Sequence, residues 1–149
     1  MKRIMGIDYG TARIGVALSD ELQMLAHPAE TIAVAKVADP VARIVAIVQE
    51  KNVERIVVGL PRHMNGSVGA SAEAATQFAK KLEARVGCEV KTWDERLSTV
   101  AAQNALREAG KSTRQSRGYI DQVAAQMLLQ SYLDSLESNL GGGLPDPFA

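Results

Sequence analysis

Apolar positions in this chain follow two rhythms. Residues 2–9 carry Ile4, Met5 and Ile7, and residues 13–19 carry Ile14, Val16, Ala17 and Leu18. Both are short apolar runs bounded by polar residues or glycine, so they predict two strands joined by a tight turn at Gly10. A third extended piece is expected over residues 29–33, which gives an antiparallel start of three strands. The rhythm then changes. Asp39-Pro40 is the sequence of a helix start, with Asp as cap and Pro at the first helical position. Val41, Ile44, Val45 and Val48 follow at helical spacing and predict one apolar face.

Residues 54–61 centre on Ile56, Val57 and Val58 and predict a buried strand that stops at Pro61. A loop containing His63, Asn65 and Gly66 follows. Ser71 is the expected cap of the next helix, with Glu73 in its first turn where the dipole favours an acid. That helix should run to about Arg85 and be closed by Gly87. Residues 89–95 predict the last strand. A helix is expected from Ser98 or Thr99 to about Ala109, and a final one from Tyr119 to about Leu136. The expected fold is therefore α/β: one mixed five-stranded sheet, three antiparallel strands and then parallel ones, with helices on both faces. Strands one, four and five are expected to be neighbours. Residues 1–138 are read as one domain. Residues 139–149, which include Gly141-Gly142-Gly143 and two prolines, are read as a disordered tail.

Composition narrows the picture at three points. A chain of 149 residues with 46% hydrophobic residues has enough material for one proper core. Formal net charge is zero, so the protein is not a bulk polyanion binder, and any nucleic-acid site must be a local basic patch. The single cysteine, Cys88, excludes an intrachain disulfide and suits a reducing compartment. It lies beside an apolar strand and reads as a small core residue rather than a nucleophile. The first apolar run ends at Asp8, too short for a signal peptide or membrane span, so a cytoplasmic protein is expected.

The candidate chemistry lies in acids at strand and helix ends. Asp8 closes a run that otherwise predicts burial, and a buried carboxylate is costly unless paired, protonated or bound to a metal. Gly10 and Gly15 would let a phosphate approach the backbone. Glu95 ends the last strand. Because strand residues alternate in direction, Asp94 and Glu95 cannot both face one site. Asp121 lies at the start of the final helix. In open α/β sheets the site lies at the carboxyl ends of the strands, where Asp8, Pro61 and Glu95 all fall. Three carboxylates converging there would suit Mg²⁺ or Mn²⁺, which take carboxylates together with substrate phosphate and water. Taken singly, each acid has an ordinary alternative, a surface ion pair for Glu95 or a favourable acid at a helix start for Asp121. A basic set lies near these acids in sequence: Arg13, Arg62, Arg96, Lys111, Arg114 and Arg117. Arginine suits bidentate phosphate contacts. His63 could touch substrate, although a loop histidine is more often simply exposed. His27, before Pro28, reads as structural.

Four motifs then coincide in order: Gly6-Ile7-Asp8-Tyr9-Gly10 with Arg13-Ile14-Gly15-Val16-Ala17; Val58-Gly59-Leu60-Pro61 with Asn65-Gly66-Ser67; Asp94-Glu95-Arg96-Leu97-Ser98-Thr99; and Asp121-Gln122-Val123-Ala124-Ala125 with Leu129-Gln130-Ser131-Tyr132-Leu133. Together they resemble the YqgF/RuvX family over the chain to about residue 138. The resemblance implies a ribonuclease H-like fold and metal-dependent nuclease chemistry, with Asp8, Glu95 and Asp121 matching the acidic triad. On this reading two Mg²⁺ or Mn²⁺ ions are expected, Asp8 bridging them and Glu95 and Asp121 each completing one. Arg13, Arg62, Asn65, Arg96, Lys111, Arg114 and Arg117 are the expected nucleic-acid contacts. The family's proposed role is processing the 5′ end of the small-subunit ribosomal RNA precursor, and an older proposal is Holliday-junction resolution. The implied partner is structured RNA or branched DNA, bound by a monomer or a homodimer.

Two other readings compete. Asp8-Tyr9-Gly10-Thr11 also resembles the first phosphate motif of the actin/sugar-kinase superfamily, but those folds bind ATP between two such domains and this chain has room for one. A nucleic-acid-binding module without catalysis would not need the intact acids.

Overall fold

The first strand is buried on both faces: Ile4, Met5, Gly6 and Ile7 are all buried. A strand of that kind belongs in the middle of a sheet covered by helices on both sides. The computed structural model, which describes residues 2–60, 69–95 and 116–141, places it there. The strands β1 (Arg3–Tyr9), β2 (Arg13–Ser19), β3 (Ala26–Ala33), β4 (Val53–Leu60) and β5 (Glu89–Asp94) form one sheet in the order β3-β2-β1-β4-β5. β1 pairs antiparallel with β2, and β2 with β3; β1 pairs parallel with β4, and β4 with β5. The expected neighbours β1, β4 and β5 are therefore adjacent. β3 starts at Ala26, earlier than its sequence suggested. The turn before it is fixed by Asp20, whose Oδ1 accepts from the N–H groups of Met24 (2.8 Å) and Leu25 (3.1 Å).

Helices α1 (Pro40–Lys51) and α2 (Ala70–Glu83) cover one face, and α3 (Ser116–Gly141) covers the other. Asp39 caps α1 as expected, accepting from Ala42 N–H at 3.2 Å. The buried stripe of α1 is Val41, Ile44, Ile47 and Val48, so Ile47 occupies the place expected of Val45. Ser71 does not cap α2. The helix begins two residues earlier, at Ala70, because the carbonyl of extended Gly69 already accepts from Glu73 N–H at 3.1 Å. The final helix is longer than expected at both ends. The helix expected over residues 98–109 lies outside the described residues, as do residues 142–149 of the expected tail.

Strand alternation divides the core. Met5, Ile7, Ile14, Val16, Ile56 and Val58 face α1 and α2, while Ile4, Ala17 and Val57 face α3 and meet Ala125, Leu129, Tyr132 and Leu133. Cys88 packs at the edge of the first cluster, where burial raises its thiol pKa and makes the reactive thiolate scarce. Polar contacts fix where α3 lies along the sheet. Gln126 Nε2 donates to the carbonyl of Ala26 (3.0 Å), and Gln130 Oε1 accepts from Ala26 N–H (2.9 Å). On the far side Arg55 Nη1 donates to the Tyr132 hydroxyl (2.8 Å) and Trp93 Nε1 to Ser131 Oγ (3.1 Å). Close seating is possible because Gly6 has no side chain: a Cβ there would stand 2.7 Å from Leu129 Cβ. Among the described residues no helix is long and apolar enough to cross a membrane.

Leu129 is fully buried between α3 and the sheet, whereas Leu22 is 64% exposed. Leu129→Ala should lower unfolding free energy by about 2–5 kcal/mol, and Leu22→Ala should change it by less than about 0.5 kcal/mol. Urea denaturation of the two variants checks the assignment of α3 to the core.

Candidate active site

Alternation along β1 puts Ile4, Gly6 and Asp8 on the α3 face and Met5, Ile7 and Tyr9 on the other. Asp8 is thus the last inward residue of a central strand. In the register it lies opposite Gly15 of β2. On β5, Trp93 packs with the α3 cluster while Val90 packs with the other. Glu95, two residues beyond Trp93, returns to the α3 face, so Glu95 rather than Asp94 meets Asp8. The Asp8 and Glu95 carboxyl groups are joined by a hydrogen bond. Asp121 comes from α3, close enough for its charge to act on Asp8.

Glycines make room for this meeting. A Cβ on Gly15 would lie 2.0 Å from the carbonyl oxygen of Asp121, and one on Gly59 would lie 2.5 Å from Glu95 Oε1. Gly15 was expected to leave space for a phosphate. It instead admits the backbone of α3 at the residue that carries the third acid. Gly59 lies inside β4, and a glycine within a strand commonly marks a close approach of this kind.

The electrostatics follow from burial and like charge. Asp8 is pushed up to about 8, first by burial, then by the charge and hydrogen bond of Glu95, then by the charge of Asp121. Glu95 is also raised, mainly by burial and by neighbouring Asp94, against the lowering effect of its bond from Asp8. Both carboxyl groups are thus held above the ordinary carboxylate range and share a hydrogen bond, which requires a proton between them. Asp121 is engaged differently. Arg13, which shares the α3 face with Gly15 and Ala17, donates from Nε to Asp121 Oδ2 at 2.7 Å.

Three of the expected site acids and one of the expected bases are therefore brought to one end of the sheet. As they stand, no three His, Cys, Asp or Glu side chains among the described residues form a closed metal-binding group, and Asp121 is held by Arg13. The donor set nevertheless suits a hard divalent cation. All its ligands are carboxylate oxygens, and the proton shared by Asp8 and Glu95 marks a concentration of negative charge that a cation would relieve. Arg62, Asn65, His63, Arg96, Lys111 and Arg114, and the side chain of Arg117, lie outside the described residues.

Because the folded-state pKa of Asp8 lies above the ordinary 3.8, the native state holds more protons than the unfolded state between roughly pH 4 and 8. Stability from this group is present at low pH and is lost as pH rises through that window. The lowered acids Asp20, Glu30, Asp39 and Glu89 have the opposite sign, but their contributions change only below the ordinary carboxylate range. In EDTA the wild-type unfolding free energy should fall from pH 5 to pH 8. Asp8→Asn, which mimics the protonated acid, should flatten the fall and be more stable at pH 8 by on the order of 2 kcal/mol. Parallel urea midpoints for the two proteins across this range would remove the buried pair from the account.

The fold and chain are shared with known proteins. A protein of Moorella thermoacetica is 52% identical over 137 residues, covering 92% of this chain and 98% of its own length. One from Listeria monocytogenes is 45% identical over 135 residues, covering 89% and 98%. Both carry the name "Putative pre-16S rRNA nuclease". Among solved structures, T. thermophilus RuvC in complex with a Holliday junction substrate superimposes with a TM-score of 0.59 at 14% identity, over 95% of this chain and 97% of that one. The yeast mitochondrial Holliday junction resolvase Ydc2 gives 0.53 at 9% identity, over 97% and 85%. At such identities these two show the fold, the ribonuclease H-like one expected from the motifs. The family model described as "RuvX: Holliday junction resolvase" matches residues 2–135, and the chain belongs to that family.

Proposed function

We propose that this protein is a cytoplasmic, divalent-metal-dependent nuclease that hydrolyses phosphodiester bonds in the precursor of small-subunit ribosomal RNA, at the 5′ side. The observation that carries the chemistry is the half-buried Asp8–Glu95 pair with Asp121 in electrostatic range, at the carboxyl end of the central strands. The names of the relatives at 52% and 45% identity support the RNA substrate.

Asp8, Glu95 and Asp121 are the residues that would hold Mg²⁺ or Mn²⁺, one ion or two. Bound there, such cations supply the positive charge that offsets charge developing on the phosphate and on the attacking and departing oxygens. The chain's own residues do the rest. β1 and β5 fix Asp8 and Glu95 on rigid elements, and Gly59 keeps the space beside Glu95 clear. Asp8 gives up its shared proton when the site takes its charged form. Arg13, with its side chain 42% exposed beside Asp121, is placed to hold a backbone phosphate next to the acids. Arg62, Asn65, Arg96, Lys111, Arg114 and Arg117 are the further residues proposed from the sequence to contact the nucleic acid.

The second reading is cleavage of branched DNA, favoured by the family's description and by neighbours solved with junction DNA. Symmetric junction cleavage needs two sites and hence a homodimer, whereas RNA cleavage needs only a monomer.

With Mn²⁺ or Mg²⁺ the purified protein should cut a precursor RNA spanning the 5′ end of the small-subunit sequence, and EDTA should abolish the cut. Asp8→Asn, Glu95→Gln and Asp121→Asn should each lower kcat by at least about 100-fold, as expected for groups needed to stabilise the transition state. Full activity in Asp8→Asn would dismiss the site. Preferential cutting of a four-way DNA junction by a dimer would transfer the proposal to the second reading. Arg13→Ala should weaken binding and reduce the slope of log affinity against log salt by about one, which a filter-binding series measures.

A further inference from the structure

Tyr9 follows Asp8 in β1 and points to the opposite face of the sheet, where its ring stacks on Phe78 of α2 with centroids 4.5 Å apart. The two rings border a cavity of about 460 Å³, within the roughly 300–1,000 Å³ range of small-ligand clefts. The first turn of α1, with Asp39 and Val41, forms the facing wall. Lys81 lies one turn beyond Phe78 on α2, and Arg85 follows two residues past the end of that helix, so an aromatic ring and two cations line the same cleft. Asp39 is the one acid in the lining. It accepts from Arg85 Nη1 at 2.8 Å, in an exposed pair that is readily exchanged. Among the described residues Lys81 has no ion-pair partner. A purely apolar ligand would leave these cations unused, and a bare phosphate would leave the ring wall unused.

We propose that this cavity is a nucleotide subsite. An unstacked base lies against the Tyr9–Phe78 wall and its phosphate meets Lys81 and Arg85. The assignment of that nucleotide to a nucleic-acid strand rests on the nuclease reading. Asp8 and Tyr9 are consecutive, so the acids and the cavity open on opposite faces at the same end of β1. A strand crossing that end presents a phosphate to the acids and a flanking base to the cavity. The subsite then selects substrates whose bases are free of pairing beside the cut, which single-stranded precursor ends offer and a continuous duplex does not.

The test is a titration of the ¹⁵N-labelled full chain in EDTA, followed by amide shifts. The probes are uridine monophosphate, uridine, inorganic phosphate and a single-stranded hexanucleotide. The nucleotide should move the amides of Tyr9, Val41, Lys81 and Arg85. Uridine and phosphate should each bind about tenfold or more weakly, and Lys81→Ala with Arg85→Ala should reduce nucleotide affinity about tenfold. Both side chains are exposed, so the double variant should melt with the wild type. The hexanucleotide should move the same amides at lower concentration than the mononucleotide. Absence of these shifts at millimolar nucleotide, or unchanged affinity in the double variant, overturns the subsite. Tighter binding of the mononucleotide than of the strand overturns the strand as its source and assigns a free nucleotide. Cleavage assays with Mn²⁺ separate the two proposals. Cavity shifts without cleavage remove the nuclease reading and leave the subsite, and cleavage without cavity shifts does the reverse.

Discussion

Two carboxyl groups that share a proton in a half-buried position set the terms for the rest of this molecule. Neither Asp8 nor Glu95 can be ionised freely beside the other in that environment, and the charge of Asp121 adds to the strain on Asp8. Such an arrangement weakens the fold at neutral pH, so the surrounding structure has to enforce it. It does so with the stiffest parts available. Asp8 lies next to last in the central strand β1, directly after the buried run from Ile4 to Ile7, and Glu95 immediately follows the strand paired to β4.

The packing of α3 completes this constraint. The helix carries Asp121 and must approach the sheet at backbone distance, which the absence of side chains at Gly6 and Gly15 allows. Leu129, Tyr132 and Leu133 bury its apolar side, and Gln126 and Gln130 bind the backbone of the edge strand β3, so the helix is held against both sliding and lifting. Covering an edge strand in this way also removes unpaired backbone groups that could otherwise join another sheet. Arg13 then offsets part of the negative charge by holding Asp121. The same arginine is the described cation best placed to meet a phosphate, so one residue links the resting arrangement to substrate recognition.

Much of this was legible in the sequence because it depends on local rules. The run from Ile4 to Ile7 marks a buried strand, which makes Asp8 anomalous wherever it points. Alternation separates Glu95 from Asp94, and Asp39-Pro40 marks a helix start. What was not legible depends on distant pairs. Arg13 and Asp121 are separated by 108 residues, and nothing in either neighbourhood announces their contact. Gly15 and Gly59 signal close approach, but not whether a ligand or another part of the chain approaches. The Tyr9–Phe78 cavity joins β1 to α2, whose register follows from packing. The start of α2 was misplaced because a serine at a favourable position lost to the carbonyl of Gly69, which had already opened the helix.

A divalent cation held by these acids would take the place of the proton shared by Asp8 and Glu95. Calorimetric titration of Mn²⁺ at pH 7 in buffers of different ionisation enthalpy counts that proton directly. Binding should release about one proton per protein at pH 7, falling towards zero above pH 9, because ligands must be deprotonated to bind metal. Binding with no proton release at pH 7, or with the same release in Asp8→Asn, would contradict it.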